Sequence, residues 1–449
     1  PDGLRSVLTA QSGLGTYAGP AFNFEYFSHH HLRISASKVG CDNTSFVNFR
    51  RTSITTSADM HEEKKRKAAF DPRSSDRRLV LRSAAMLAGA TALGGTAMPQ
   101  SLAQGGKSGN TVGSLKGRLM GFMLPHEQFT VPELIELGVL AEQSGFDLLA
   151  TSDHFQPWQA NELHAGAAWI TMGALAQRTK RVWIGPTVTC PTFRYNAGVV
   201  AQAFATLSSI MPGRIFLGLG SGEALNEQAA QPSWPKWPER SERLVEATDI
   251  IRKLWQGQQV DHKGKYYTLN AKLYDPPSKP IPLLMAANGP KAMRRAGQYA
   301  DGLITDPKTW KEHKGEFEAG AKAAGKDIKQ VPVLVELFVV VGGTTEARKA
   351  AELWRFIPKA FKTYYDVRDP QEIQKRAEAE LPLEQVYADW PGSTDPQVHI
   401  KAVNELFDSG ATIVNIHSGQ PDQKKVIAFY SKNVLPKVRS GGTGAKSAA

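Results

Sequence analysis

The feature that most constrains this chain is a repeat of short apolar runs, each followed by a helical pattern. The runs are Leu119–Leu124, Asp147–Ala150, Val182–Thr187, Ile215–Leu219, Leu283–Ala286, Gly302–Thr305, Val333–Val341 and Thr412–Ile416. Helical patterns lie between them at Val131–Ser144, Ala167–Arg178, Ala197–Ile210, Glu239–Trp255, Pro290–Tyr299, Trp310–Ala324 and Thr345–Phe356, and a last one, Lys424–Val438, closes the series. Strands that alternate with helices must run parallel, and eight such units predict an α/β fold of the (β/α)8 TIM-barrel type. A doubly wound sheet is the alternative, but no G-x-G-x-x-G joins a strand to a helix here. Two insertions interrupt the repeat. Gln258–Pro280 reads as a hairpin turning at Asp261-His262-Lys263-Gly264, and Ile357–Gln397 as irregular and helical material. Insertions in βα loops shape barrel pockets, because barrel sites gather at the C-terminal ends of the strands.

The chain has 449 residues and a net charge of +11, which invites a nucleic-acid reading. Its placement argues against one. Residues 1–107 hold 14 Lys+Arg against 8 Asp+Glu, a net of +6; the rest carries only +5 with both signs interspersed, and no nucleic-acid motif accompanies it. No run of 18 apolar residues reads as a membrane span. The two cysteines are Cys41 and Cys190, and Cys41 lies in the segment read here as a leader, so no internal disulfide is expected of the mature chain.

Residues 1–104 read as an N-terminal extension and signal peptide. Met60 is a plausible start, and residues 1–59 show no clear period. Asp76-Arg77-Arg78-Leu79 leads into the weakly apolar Ser83–Met98, and Ser101-Leu102-Ala103 supplies small residues before Gln104. Basic region, apolar region and small-residue site are the parts of a secretory signal, and the paired arginines resemble a twin-arginine one. That predicts the twin-arginine translocase as a partner and a destination in the periplasm or cell envelope. Residues 105–117 read as a linker, 118–438 as the barrel and 439–449 as a disordered tail.

Polar residues just past the strands are the candidates for chemistry. The first strand leads into His126-Glu127-Gln128, the second into Ser152-Asp153-His154-Phe155-Gln156-Pro157-Trp158, the fourth into Gly220-Ser221-Gly222-Glu223 with Asn226 one turn on, and the fifth into Asn288-Gly289-Pro290-Lys291. An imidazole beside a carboxylate suits deprotonation of a hydroxyl near neutral pH. Glycines before Glu223 allow a flat ligand to approach, and a helix opening at Pro290 favours a phosphate. Taken singly, each has a plain structural alternative: an Asp-His pair in a fold, a capped helix start at Ser221, a common loop at Asn288, packed rings at Phe155 and Trp158. Their convergence on inferred strand ends is what favours a site.

Thr151–Trp158, Cys190-Pro191-Thr192-Phe193-Arg194-Tyr195-Asn196 and Gly218–Glu227 closely resemble the glucose-6-phosphate dehydrogenase group that uses coenzyme F420, within the luciferase-like superfamily. The likeness runs from about Arg118 to Val438. With the leader, the chain looks most like the exported branch that includes the hydroxymycolic acid dehydrogenase. The resemblance implies an F420-dependent alcohol dehydrogenase. It implies His154 as base or proton relay, Glu223 as proton partner of the deazaflavin as hydride reaches its C5, Trp158 against the reacting substrate, and Glu127 in the same pocket. Asp153, Cys190, Ser221, Gly222, Asn226, Asn288, Gly289, Lys291 and Ala292 would hold the cofactor. Cys190 departs from the family's threonine. A cis peptide is implied at Thr187–Val188, and a homodimer is usual in such families. The phosphate-gripping positions of the family correspond to Asp306, Thr309, Tyr364 and Asp389, with Lys308 one place off. Two carboxylates there would repel a phosphate dianion, so a neutral or lipid-like secondary alcohol is expected rather than glucose 6-phosphate. The alternatives are an FMN-dependent monooxygenase on the same barrel and an exported binding protein with an idle pocket.

Overall fold

The structure is a computed structural model that describes Leu115 and residues 117–439. The extension, the Arg77-Arg78 signal, most of the linker and the tail from residue 440 lie outside the described residues. Eight parallel strands form one sheet: β1 (Leu119–Leu124), β2 (Leu148–Thr151), β3 (Trp183–Pro186), β4 (Leu217–Leu219), β7 (Leu283–Ala286), β8 (Gly302–Thr305), β9 (Val333–Phe338) and β10 (Ile413–His417). Their spatial order is β3-β2-β1-β10-β9-β8-β7-β4. The two end strands meet through parallel bridges at Ile184–Ile215 and Thr189–Leu219, which close the barrel.

Closure rests on the glycines of Gly218-Leu219-Gly220. A Cβ on Gly218 would lie 2.1 Å from the Pro186 carbonyl oxygen, and one on Gly220 would lie 2.4 Å from Val188. Any side chain there would push β3 and β4 apart. The Thr187–Val188 peptide at this seam is cis, as expected.

Helices α1 (Val131–Gln143), α2 (Ala168–Arg178), α3 (Ala197–Ile210), α4 (Ala224–Ala230), α5 (Trp237–Trp255), α6 (Pro290–Tyr299) and α7 (Pro307–Ala323) cover the first part of the barrel. They are followed by α8 (Thr344–Leu353), α9 (Pro370–Glu380), α10 (Leu383–Val386), α11 (Pro396–Asp408), α12 (Gln423–Phe429) and α13 (Leu435–Val438). The strands are buried on both faces, which explains why they read as apolar runs rather than alternating ones. Alternation survives in which face each residue serves. Leu119, Leu148, Trp183, Phe216, Leu284, Ile304, Leu334 and Ile413 pack together inside the barrel, with Leu115 in the same cluster. So the end of the segment read as linker belongs to the barrel's own core. Arg439, read as the start of the tail, reaches back to Asp147 at 2.7 Å.

Three sequence expectations need correction. The hairpin of the first insertion is β5 (Val260–Lys263) with β6 (Thr268–Ala271). Asp261–Lys263 belong to β5, and the turn runs from Gly264, whose N–H donates to Tyr267 O. The helix before β10 is α11, whose first two residues lay inside the expected second insertion. Its start is set by Asp395, which accepts from Gln397 N at 2.9 Å, followed by Pro396 at the first helical position. The last helix is not uniform, because a π-helical turn, Tyr430–Val434, separates α12 from α13.

Candidate active site

The ends of β1 and β2 are tied together by hydrogen bonds. Ser152 Oγ accepts from His126 N at 2.8 Å and donates to Glu127 Oε2 at 2.5 Å. Glu127 is buried, and its other oxygen faces His154 Nε2 at 3.3 Å. The opposite edge of that ring is held from α4, just after β4. Asn226 Oδ1 accepts from Phe155 N at 2.8 Å and Gln156 N at 3.3 Å, which fixes the amide so that Nδ2 turns toward His154 Nδ1 at 3.1 Å and Glu223 Oε2 at 3.3 Å. Gln156 O lies 3.1 Å from the same Nδ1. His154 Nδ1 therefore has an acceptor when it carries a proton and a donor when it does not. That serves a residue that must gain and lose a proton. Glu223 stands at the N-terminus of the short α4 and keeps part of its side chain open.

Asp153, the neighbour of His154, points elsewhere. Its carboxylate accepts from Thr189 Oγ1 at 2.6 Å, Arg194 Nη2 at 3.2 Å and Tyr195 Oη at 3.1 Å. Arg194 also faces Glu227, 3.7 Å from Oε1, and its backbone N–H donates to Glu227 Oε2 at 2.8 Å. One buried guanidinium thus serves two buried carboxylates. Burial pushes the Glu227 carboxyl up to about 8 against the pull of Arg194, with Glu223 and Asp153 adding to the rise. A protonated Glu227 leaves Arg194 and Asp153 as a neutral pair, which is what a site away from water requires. Cys190 is buried beside this group, with Sγ 3.2 Å from Thr192 Oγ1. Burial pushes its thiol well above the ordinary range.

The segment after β2 turns Trp158 into an apolar cluster, where it stacks on Phe356 at 4.7 Å. Its ring centre is 5.8 Å from that of His154. Just beyond, Glu162 is buried and accepts from Gln159 N at 2.8 Å, while its Oε1 has no partner among the described residues. Burial and the neighbouring Glu127 push its carboxyl up.

The expected cofactor cradle has the right openness. Gly222 sits at φ +80°, in the left-handed region that favours glycine, and a Cβ there would lie 2.8 Å from both Cys190 Sγ and Glu227 Cγ. Ser221 beside it is half exposed. At the start of α6, Asn288 and Lys291 are exposed, Ala292 is half-buried, and nothing lies within 4 Å of a Cβ built on Gly289. A helix N-terminus with free N–H groups, a lysine and no acid in its first turn suits a phosphate. These residues fit a flat, phosphorylated cofactor.

The four specificity positions diverge. Asp306 caps α7, accepting from Thr309 N at 2.9 Å and Thr309 Oγ1 at 2.5 Å. Tyr364 is buried in the Trp158 cluster and donates to Glu380 at 3.1 Å. Asp389 is exposed.

Sequence reasoning missed a second imidazole–carboxylate pair. His417 Nδ1 lies 2.9 Å from Glu336 Oε1, where β10 and β9 end. Glu336 was read simply as part of an apolar strand, and His417, just past the run Thr412–Ile416, was passed over. The available signal was the single acid within Val333–Val341, two positions from Leu334 and so on the same, inward face. The Arg194–Glu227 contact was likewise invisible, because Arg194 sits on the loop after β3 and Glu227 in α4.

The model of the family described as luciferase-like monooxygenase matches residues 117–423. The F420-dependent hydroxymycolic acid dehydrogenase of Mycobacterium tuberculosis is 44% identical, over 72% of this chain and 89% of its own. The F420-dependent glucose-6-phosphate dehydrogenase of Nakamurella multipartita is 38% identical, over 71% of this chain and 96% of its own. Among solved structures, an F420-dependent secondary alcohol dehydrogenase in complex with an F420-acetone adduct superposes with a TM-score of 0.69 at 34% identity, over 72% of this chain and 99% of that one.

Proposed function

This chain belongs to the luciferase-like family, and we propose that within it the protein oxidises a secondary alcohol other than glucose 6-phosphate, using coenzyme F420. The observation that carries the reading is His154, with a donor and an acceptor at Nδ1 and Glu127 at Nε2. The named activities of the relatives support the same chemistry.

When bound, the deazaflavin supplies the hydride acceptor at C5. Everything else is the work of this chain. Ser221, Gly222 and Asn226 would flank the ring, Asn288, Gly289, Lys291 and Ala292 would hold the phosphate at the start of α6, and Asp153 after β2 with Cys190 after β3 would back the cradle. His154, with Nδ1–H on Gln156 O, takes the hydroxyl proton at Nε2, and Glu127 steadies the cation so formed. Ser152 fixes Glu127 by holding its second oxygen. Glu223, on the other side of Asn226, is placed to give or take a proton at the cofactor. Trp158 limits the space beside His154.

Glucose 6-phosphate is disfavoured because Asp306 and Thr309 are spent on capping α7, and Asp306 adds a negative charge at the mouth. The test is absorbance-monitored reduction of the deazaflavin against a panel of secondary alcohols, with FMN as the competing cofactor. Turnover of at least one neutral alcohol with F420 is expected. Glucose 6-phosphate as the best substrate, or activity with FMN alone, would overturn the reading.

The Arg77-Arg78 leader makes the same proposal specific in place: the protein folds around its cofactor and is then exported by the twin-arginine route. Replacing both arginines by lysine should retain the protein in the cytoplasm, as fractionation would read. Unchanged export of that variant would exclude the route.

A further inference from the structure

The inner face of the barrel can be followed strand by strand. Leu334 of β9 and Ile413 of β10 belong to the interior cluster. Side chains alternate along a strand, so Glu336 and Phe338, and Asn415 and His417, face inward above them, toward the C-terminal mouth. The register agrees, with Glu336 beside Asn415 and Phe338 beside His417. Strand β10 is also hydrogen-bonded to β1, which ends at Leu124, three residues before Glu127. The Glu336–His417 pair is therefore one strand away from the Glu127–His154 pair, at the same end of the barrel.

A continuous aromatic wall joins the two. His154 neighbours Trp158, Trp158 stacks on Phe356, and Phe356 lies 5.7 Å from Trp354. Trp354 turns its edge to His417 at 4.4 Å, and its Nε1–H donates to Gln128 Oε1, next to Glu127. Phe338 stacks on the His417 ring at 4.0 Å and on Trp390 at 5.2 Å.

His417 is almost wholly buried, yet among the described residues its Nε2 has no hydrogen-bond partner, and neither does Asn415 Oδ1 beneath it. Glu336 keeps 23% of its side chain exposed, so the pair borders open space rather than sealed core. With Glu336 Oε1 accepting from Nδ1–H, the neutral ring carries a lone pair at Nε2. A buried lone pair is matched by a hydroxyl hydrogen, not by an anion, which both Nε2 and the Glu336 carboxylate would oppose.

Building on the alcohol-oxidation reading above, we propose that Glu336 and His417 form a second substrate-recognition point, which selects alcohols carrying a further neutral hydroxyl at a distance from the one oxidised. His417 Nε2 accepts that hydroxyl, Glu336 holds the ring in the accepting tautomer, and the Trp158–Phe356–Trp354 wall covers the apolar carbons between. The reacting hydroxyl stays at His154. No bond to the second oxygen is made or broken.

The test compares 2-alkanols, diols of the same skeleton with the second hydroxyl at increasing spacing, and the matching hydroxy acids. Two readouts are taken on the full chain: kcat/KM with the deazaflavin, and calorimetric binding to the protein without turnover. The wild type should prefer one diol over its parent alkanol by roughly tenfold or more, because an unfilled polar group is what a shorter-handed ligand leaves behind. His417→Phe keeps the ring between Phe338 and Trp354 and should bring that ratio to about one. Glu336→Gln should keep part of the diol preference and bind hydroxy acids better than the wild type does. No diol preference in either readout, the same preference in His417→Phe, or a hydroxy acid as the best wild-type ligand would each overturn the proposal. A diol preference in calorimetry without any deazaflavin reduction would sustain this recognition point and sink the alcohol-oxidation reading instead.

Discussion

Asp153 and His154 are adjacent in the chain and end in opposite environments. Asp153 enters a closed group with Thr189, Arg194 and Tyr195, where every oxygen has a protein donor and Arg194 is shared with Glu227. His154 enters an open one, where Glu127 and Asn226 bracket the ring and Glu223 stays partly exposed. The end of a barrel strand makes this division natural, because successive side chains leave on opposite sides. The closed group fixes the loop that carries Arg194 against β2 and α4. The open group keeps its proton sites available. The difference teaches that two polar residues in one motif can divide the labour, one holding the frame and the other working within it.

The largest expected effect that would break this comparison is on activity. His154→Ala should lower kcat/KM by about a hundredfold to ten-thousandfold, the range for removing a general acid–base group, with little change in the denaturation midpoint. Steady-state kinetics and urea unfolding read the two together. Equal losses in both would place His154 in the frame after all. The next effect falls on the other side. Arg194→Met strands the buried Asp153 carboxylate and should cost about 3–5 kcal/mol of stability, the range for breaking a buried ion pair by removing one partner. A midpoint within error of the wild type would show that Arg194 is not the cation that balances Asp153.

The open group was more legible in the sequence than the closed one, for a physical reason. Thr151–Trp158 and Gly218–Glu227 are short stretches that each follow an apolar run, so their residues could be placed at strand ends without knowing the fold in detail. His154, Glu223 and Asn226 do meet, and Glu127 joins them at His154 Nε2. The partners of Asp153 sit about forty residues on, at Thr189 and on the Arg194–Tyr195 loop, and nothing local in the chain announces such pairings. Tyr364 shows a different limit: the resemblance implies a substrate-side position, and that its ring packs into the same cluster as Trp158 is shown only by tertiary contacts. The strand pattern was read well because burial on both faces makes strands apolar throughout. The same uniformity hid Glu336 inside its run, while His417 falls just past the run Thr412–Ile416, and the inward direction of both depends on register.

The smallest expected effect sharpens the comparison most, because it asks how the closed group disposes of its excess charge. Burial raises the Glu227 carboxyl to about 8 in the folded chain, against an ordinary value of 4.5. Below about pH 4.5 the folded and unfolded states both hold the proton, and the contribution of this group to stability is fully present. Between there and about pH 8 only the folded state still holds it, so the contribution drains away as pH rises and is gone once the folded carboxyl ionises. Glu227→Gln imitates the protonated form and keeps an oxygen for Arg194 N–H. It should match the wild type within about 1 kcal/mol in mild acid, as a near-isosteric exchange would, and lose less stability than the wild type between pH 6 and 9. Urea midpoints taken across that range for both proteins decide the matter. If the two curves run parallel, Glu227 is already ionised at neutral pH, and Arg194 must be balancing two negative charges rather than one.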